Sequence, residues 1–215
     1  MKVLVNRYVT LSQEAGFLRS LFIGFTLLII SFFIANNAGL YASEMAGNPV
    51  DDLILNYLPL CDVTVLHVYA ALLFWLFVSI YMLTQPGLIP FITKTASVFI
   101  VTRSAFICLT HLGAPPNQLM IPEGFSSFFL FNGDLFFSGH VGGPFLLALL
   151  FWQNKILRYF SLAASVFFAY IVLVGHIHYS IDVFAAPFIT FGIYELSKIL
   201  FVKEYSFFVQ EIKTQ

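Results

Sequence analysis

Residues 156–182 read ILRYFSLAASVFFAYIVLVGHIHYSID, a run of about twenty mostly apolar residues closed by two histidines and an aspartate. At about 1.5 Å of rise per residue, a helix of that length crosses a hydrocarbon core of about 30 Å. Working outward, comparable stretches at 17–36, 63–84, 89–112, 139–153 and 181–202 join 156–176 to predict six membrane spans. The stretch at 139–153 is short for a span, so it is tilted, extended by the polar residues before it, or partly sunk. Pro86-Gly87 and Pro115-Pro116 punctuate the chain around the third span. Composition agrees, since 60% hydrophobic residues, 10% charged residues and a mean hydropathy of +0.90 exclude a soluble domain of 215 residues. The expected fold is an all-α integral membrane protein, a six-transmembrane-helix bundle forming one polytopic domain over residues 1–215.

Charge placement orients that bundle. Lys2, Arg7, Arg19, Lys94, Lys155, Arg158, Lys198, Lys203 and Lys213 all fall on one side of a six-span chain. The opposite loops carry Glu44, Asp51, Asp52, Asp62, Glu123 and Asp134 with no Lys or Arg. The positive-inside rule then places both termini in the cytoplasm, and the first span reads as a retained anchor rather than a cleaved signal. A net charge of −1 offers no basic surface for nucleic acid. Cys61 and Cys108 lack metal-like spacing and are expected as buried free thiols, the alternative being a disulfide on an oxidising face.

Two polar motifs interrupt the apolar background on the acidic side: Gly133-Asp134-Leu135-Phe136-Phe137-Ser138-Gly139-His140 and Gly175-His176-Ile177-His178-Tyr179-Ser180-Ile181-Asp182. Ionisable groups at a membrane span are costly, so clustering them marks a functional site. Ser138 and Gly139 stand where a loop turns into an apolar helix, whose first N–H groups and positive dipole end suit an anion. His178 and Asp182 are spaced i, i+4, which lets the carboxylate orient the imidazole. Arg103 lies inside the third span, either as a fork of donors for a lipid phosphate or in a salt bridge to Asp134 or Asp182. His176, His111, Tyr179 and Asp134 are candidates to line the pocket. His67, in the second span, is expected to be a hydrogen-bonded packing residue. His176 and His178, as a His-x-His pair, could also assemble a zinc site with His140 and Asp182, but phosphoryl transfer without metal or other cofactor accounts better for the same residues.

The pattern Gly-Asp-x3-Ser-Gly-His, followed some forty residues later by His-Tyr-Ser-x-Asp-Val, resembles the sphingomyelin synthase branch of the type 2 phosphatidic acid phosphatase superfamily. Val141 and Ser180 stand where that branch has threonines. The Ser-Gly-His-Val form is also similar to plant phosphatidylcholine:diacylglycerol cholinephosphotransferase. The resemblance is strongest over residues 100–195 and takes in Arg103 with Thr110, His111, Leu112 and Pro115-Pro116. The phosphatase branch differs, having Pro before its Ser-Gly-His where this chain has Phe137 and an arginine where it has Val172.

The resemblance implies a six-helix core in which His178 attacks phosphorus, Asp182 orients it, and His140 is general acid and then base. Arg103, Ser138 and Gly139 would then bind the phosphate. The implied activity moves a phospho-headgroup, phosphocholine first, from a phospholipid donor to a lipid acceptor such as ceramide or diacylglycerol. A lipid phosphate phosphatase or phospholipase C-like hydrolase uses the same residues with water as acceptor. A non-catalytic lipid-binding or transport protein is the alternative outside enzymes.

Overall fold

A computed structural model of the chain describes residues 2–119 and 135–213. The described residues form eight α-helices and no strand: α1 Lys2–Gln13, α2 Phe17–Glu44, α3 Ala71–Leu83, α4 Ile89–Leu109, α5 Gly139–Leu150, α6 Lys155–Val174, α7 Ser180–Leu200 and α8 Val202–Lys213. A π-helical turn, Leu66–Ala70, leads into α3, and a 3-10 turn, Pro86–Leu88, leads into α4. Counting those turns, five helices are long and apolar enough to cross a membrane: Phe17–Glu44, Leu66–Leu83, Pro86–Leu109, Lys155–Val174 and Ser180–Leu200.

The fourth expected span, 139–153, forms the shorter apolar helix α5 of 12 residues, about 18 Å long at about 1.5 Å per residue. Almost every residue from Val141 to Leu150 is buried, with α6 and α7 packed against the helix. A helix enclosed by protein can be shorter than the bilayer because its ends need not meet lipid headgroups. Gly142 permits this enclosure: a Cβ there would lie 2.8 Å from Thr190 Oγ1 and 2.9 Å from the Phe99 ring. The first span also differs from expectation, continuing past Asn36-Asn37 to Glu44. Asn37 Nδ2 donates to Phe33 O one turn back (2.7 Å) instead of ending the helix, and Ala38 and Ala42 pack against Ile107 of α4.

The bundle is apolar outside and mixed within, as a lipid-facing protein should be. Phe22 is 73% exposed and Phe188 80% exposed, whereas Ser31, Thr93, Thr95, Ser97, Ser161, Ser165, Thr190 and Ser197 are buried. Small hydroxyl residues let membrane helices approach closely and bond across the interface. Ser165 Oγ on α6 donates to Val141 O on α5 (2.9 Å), a direct link between two helices that carry the histidine motifs.

Two amphipathic helices not anticipated from hydropathy close the basic end. Arg7 of α1 pairs with Glu211 of α8 at 2.5 Å, and Tyr8 Oη donates to Leu83 O at 2.8 Å. Deeper in, Lys94 of α4 pairs with Glu204 of α8 at 2.5 Å, and Ser20 of α2 also donates to Glu204. Burial pushes the Glu204 carboxyl up, but the hydrogen bonds from Lys94 and Ser20 outweigh it and hold the group below its ordinary value. A carboxyl depressed on folding stabilises the protein above its unfolded value, and that contribution disappears as pH falls through the folded one. Lys94→Met leaves Glu204 without its cation, and thermal unfolding in detergent at neutral pH is expected to show a loss of about 3 kcal/mol.

Cys61 and Cys108 are both free thiols. Cys61 is exposed rather than buried, because its loop is held by its backbone, with the N–H donating to Val174 O at 2.9 Å.

Candidate active site

The alternation of the helices brings the start of α5, the end of α6, the start of α7 and the end of α4 to the same end of the bundle. The extended backbone of Ser138 begins α5, and its N–H donates to Asp182 O (3.0 Å), tying the starts of α5 and α7 together. Ser138 Oγ is buried and has no hydrogen-bond partner among the described residues. Arg103 reaches this point from α4, its Nε donating to Phe137 O at 2.7 Å. A Cβ on Gly139 would sit 3.3 Å from that Nε, so glycine lets the guanidinium lie against the first turn of α5. A helix start with open N–H groups beside a permanent cation is suited to phosphate oxygens.

The second motif turns sharply between α6 and α7. Ile177 N–H bonds Val172 O at 2.9 Å and His176 N–H bonds Leu173 O at 3.0 Å, the paired closure of a Schellman cap. His176 holds the left-handed position with φ of 48°, where glycine is usual. Its ring is used for support, Nδ1 lying 3.3 Å from Pro116 O and Nε2 3.2 Å from Leu58 O. Tyr179 is also a strut, its hydroxyl donating to Gly113 O (2.8 Å) and accepting from Val50 N–H (3.1 Å). His111 lies apart in an exposed position, edge-on to Tyr41 of α2 at 5.4 Å between ring centroids. Three of the four pocket candidates thus brace or border the outer loops, and the fourth, Asp134, lies outside the described residues.

Between these struts sit the buried His178 and Asp182. Asp182 Oδ2 accepts Tyr179 N–H at 2.9 Å and lies 3.4 Å from His178 Nδ1, while Oδ1 has no partner among the described residues. The carboxylate therefore lies beside one ring nitrogen of His178, which makes no hydrogen bond to a described residue. His140, on the first turn of α5, is within charge-interaction range of His178 and Arg103.

Two residues in this region did not stand out in the sequence. His67, expected to be hydrogen-bonded into helix packing, is fully buried with both ring nitrogens unpartnered among the described residues. It lies against the His140 ring instead, with 4.3 Å between ring centroids and a tilt of 36°. No sequence signal marks it, since a single histidine in an apolar helix more often packs than reacts. Asp52, read only as one of several loop acids, accepts Ser180 N–H on Oδ2 (2.7 Å) and the N–H groups of Ile54 and Leu55 on Oδ1 (2.9 and 3.1 Å). It pins the first turn of α7 from 128 residues away.

Burial raises the Asp52 carboxyl, but the N–H donors of Leu55, Ser180 and Ile54 prevail and lower it. The anchor therefore holds above the unfolded value and is lost as pH falls through the folded one. Asp52→Ala is expected to cost about 1 kcal/mol in a thermal unfolding assay. It should also reduce turnover about tenfold or more by loosening His178.

Residues 132–199 match the family model described as PAP2 superfamily C-terminal. The matched segment contains α5, α6 and α7, and with them His140, His178 and Asp182, while Arg103 and His67 lie before it. It supports a place in the type 2 phosphatidic acid phosphatase superfamily, whose members are generally phosphatases or phosphotransferases. No curated protein and no solved structure matches the chain.

Proposed function

We propose that this chain is an integral membrane lipid phosphotransferase that moves a phospho-headgroup from a glycerophospholipid to a lipid hydroxyl through a phosphohistidine intermediate. The observation that carries the reading is the pairing of His178 with Asp182 (Nδ1 to Oδ2, 3.4 Å) at the bundle end where His140 and Arg103 also lie. In the first step His178 Nε2 attacks phosphorus, the bond from phosphorus to the diacylglycerol oxygen breaks, and His140 gives that oxygen its proton. In the second, His140 takes the proton of the acceptor hydroxyl, the new oxygen attacks phosphorus, and the nitrogen–phosphorus bond breaks. Arg103, Gly139 N–H and Ser138 stabilise the charge on the phosphoryl oxygens.

Transfer rather than hydrolysis is favoured by the motifs, which carry Phe137 before Ser138-Gly139-His140 and Val172 six residues before His178 where the phosphatase branch has proline and arginine. Phosphocholine is the first headgroup to test, with ceramide and diacylglycerol as acceptors. The charge asymmetry puts both termini in the cytoplasm and the histidines on the periplasmic, extracellular or lumenal face.

The test is to reconstitute the protein in liposomes with phosphatidylcholine and fluorescent ceramide or diacylglycerol, then resolve the lipids by chromatography. A new phospholipid made by the wild type and not by His178→Ala supports the transferase. Release of headgroup into water with no lipid product would replace it with the hydrolase. Asp182→Asn keeps an oxygen for Tyr179 N–H yet removes the charge that orients His178. Turnover is expected to fall about 10³-fold or more with the melting temperature within a few degrees of wild type.

A further inference from the structure

The second span delivers a third imidazole to the bundle end where His140 and His178 lie. In the π-helical turn Leu66–Ala70 only His67 is buried, and such turns are rare in helices and frequent at functional sites. His67 is fully buried, yet neither ring nitrogen bonds any described residue. Burying a donor and an acceptor unpaired is costly, and a residue used only for packing has no reason to incur that cost.

The surroundings show what the ring serves. Its face lies on His140 at 4.3 Å between centroids, tilted by 36°, and it is within charge-interaction range of His178. That ring contact takes up neither nitrogen of His67, and both edges remain without a partner among the described residues. Among the described residues no three His, Cys, Asp or Glu side chains are arranged to hold a metal ion. A phosphoryl oxygen brought between His140 and His178 would satisfy a ring N–H at this position.

Resting on the phosphoryl-transfer reading above, we propose that His67 is a further catalytic residue: its ring N–H donates a hydrogen bond to a non-bridging oxygen of the phosphoryl group in transit between His178 and the lipid oxygens. No proton is transferred at His67. It stabilises charge that grows on that oxygen in the transition state, and its stacking holds the His140 ring in place.

The two contributions separate by substitution. His67→Phe keeps a ring to stack on His140 and removes the donor, whereas His67→Gln keeps a donor and removes the ring. In the liposome assay His67→Phe is expected to lose about 10²-fold in kcat with little change in donor KM and an unchanged melting temperature, and His67→Gln to recover at least tenfold of that loss. If His67→Phe does not fold, His67→Met, which lacks a donor and has similar bulk, takes its place. A donorless variant within about threefold of wild type, or a folded His67→Gln as impaired as His67→Phe, would overturn the assignment.

Orthovanadate, a phosphoryl mimic, separates failure of this assignment from failure of the underlying reading. Wild type is expected to gain thermal stability with vanadate, His67→Gln to keep most of that gain, and His67→Phe and His178→Ala to lose it. A gain that vanishes in His178→Ala but persists in His67→Phe overturns the role of His67 alone. No gain in the wild type, together with no lipid turnover, overturns both.

Discussion

His178→Ala is expected to lower lipid phosphotransfer by at least about 10⁴-fold while leaving the melting temperature in detergent near that of wild type. The size of the effect follows from the role: without the imidazole no covalent intermediate forms, and the remaining groups can only position donor and acceptor. Stability should survive because the structural work nearby is done by other atoms. Tyr179 N–H bonds Asp182, Ser180 N–H bonds Asp52, and Ile177 N–H closes the end of α6, and none of these uses the His178 ring. Asp182 would lose only a neighbour at 3.4 Å. Activity measured by lipid chromatography and unfolding measured by fluorescence, on one preparation, check both halves. Turnover near wild type would remove His178 from the nucleophile's role.

His140→Ala is expected to reduce turnover of a natural phospholipid donor by about 10²- to 10⁴-fold, because the alkoxide of diacylglycerol leaves poorly unless protonated. The consequence changes with the leaving group. A nitrophenyl ester of phosphocholine expels nitrophenolate without protonation, so its first step needs no acid and should survive the substitution. The second step still needs a base to take the acceptor's proton, and it should stall. Rapid mixing is therefore expected to give a stoichiometric burst of nitrophenolate from His140→Ala followed by a very slow phase, and no burst from His178→Ala. Equal loss with both leaving groups would mean that His140 is not the acid.

Much of this architecture is legible in the residues because hydropathy is a strong signal over twenty positions. Five of the six expected apolar segments are helices long enough to cross a membrane. The segment at 139–153 is the hardest to read, because its apolar run is short and the structure gives it only 12 helical residues, Gly139–Leu150, below the length of the other five. The helices α1 and α8 are missed for a related reason, since each is short and apolar on one face only, and each is positioned by ion pairs, Arg7 to Glu211 and Lys94 to Glu204, that join distant parts of the chain.

At the site, local spacing was informative and long-range contact was not. His178 and Asp182 are four residues apart, and the structure brings Nδ1 to 3.4 Å from Oδ2. Ser138 and Gly139 could be placed at a helix start because the change from polar to apolar sequence marks it. Asp52 and His67 gave no such sign, because each acts on residues far along the chain: Asp52 on Ser180, and His67 on His140. His176 sits two residues from His178, and its φ of 48° and its two carbonyl neighbours, which spacing does not reveal, let it brace the turn.

The most direct test of the central claim is to find the covalent intermediate. His140→Ala reacted briefly with the nitrophenyl ester of phosphocholine, quenched in alkali where a nitrogen–phosphorus bond survives, and digested for mass spectrometry, should carry a phosphocholine adduct on His178. An unmodified His178 in protein that has released its burst, or an adduct on another residue, would contradict the account.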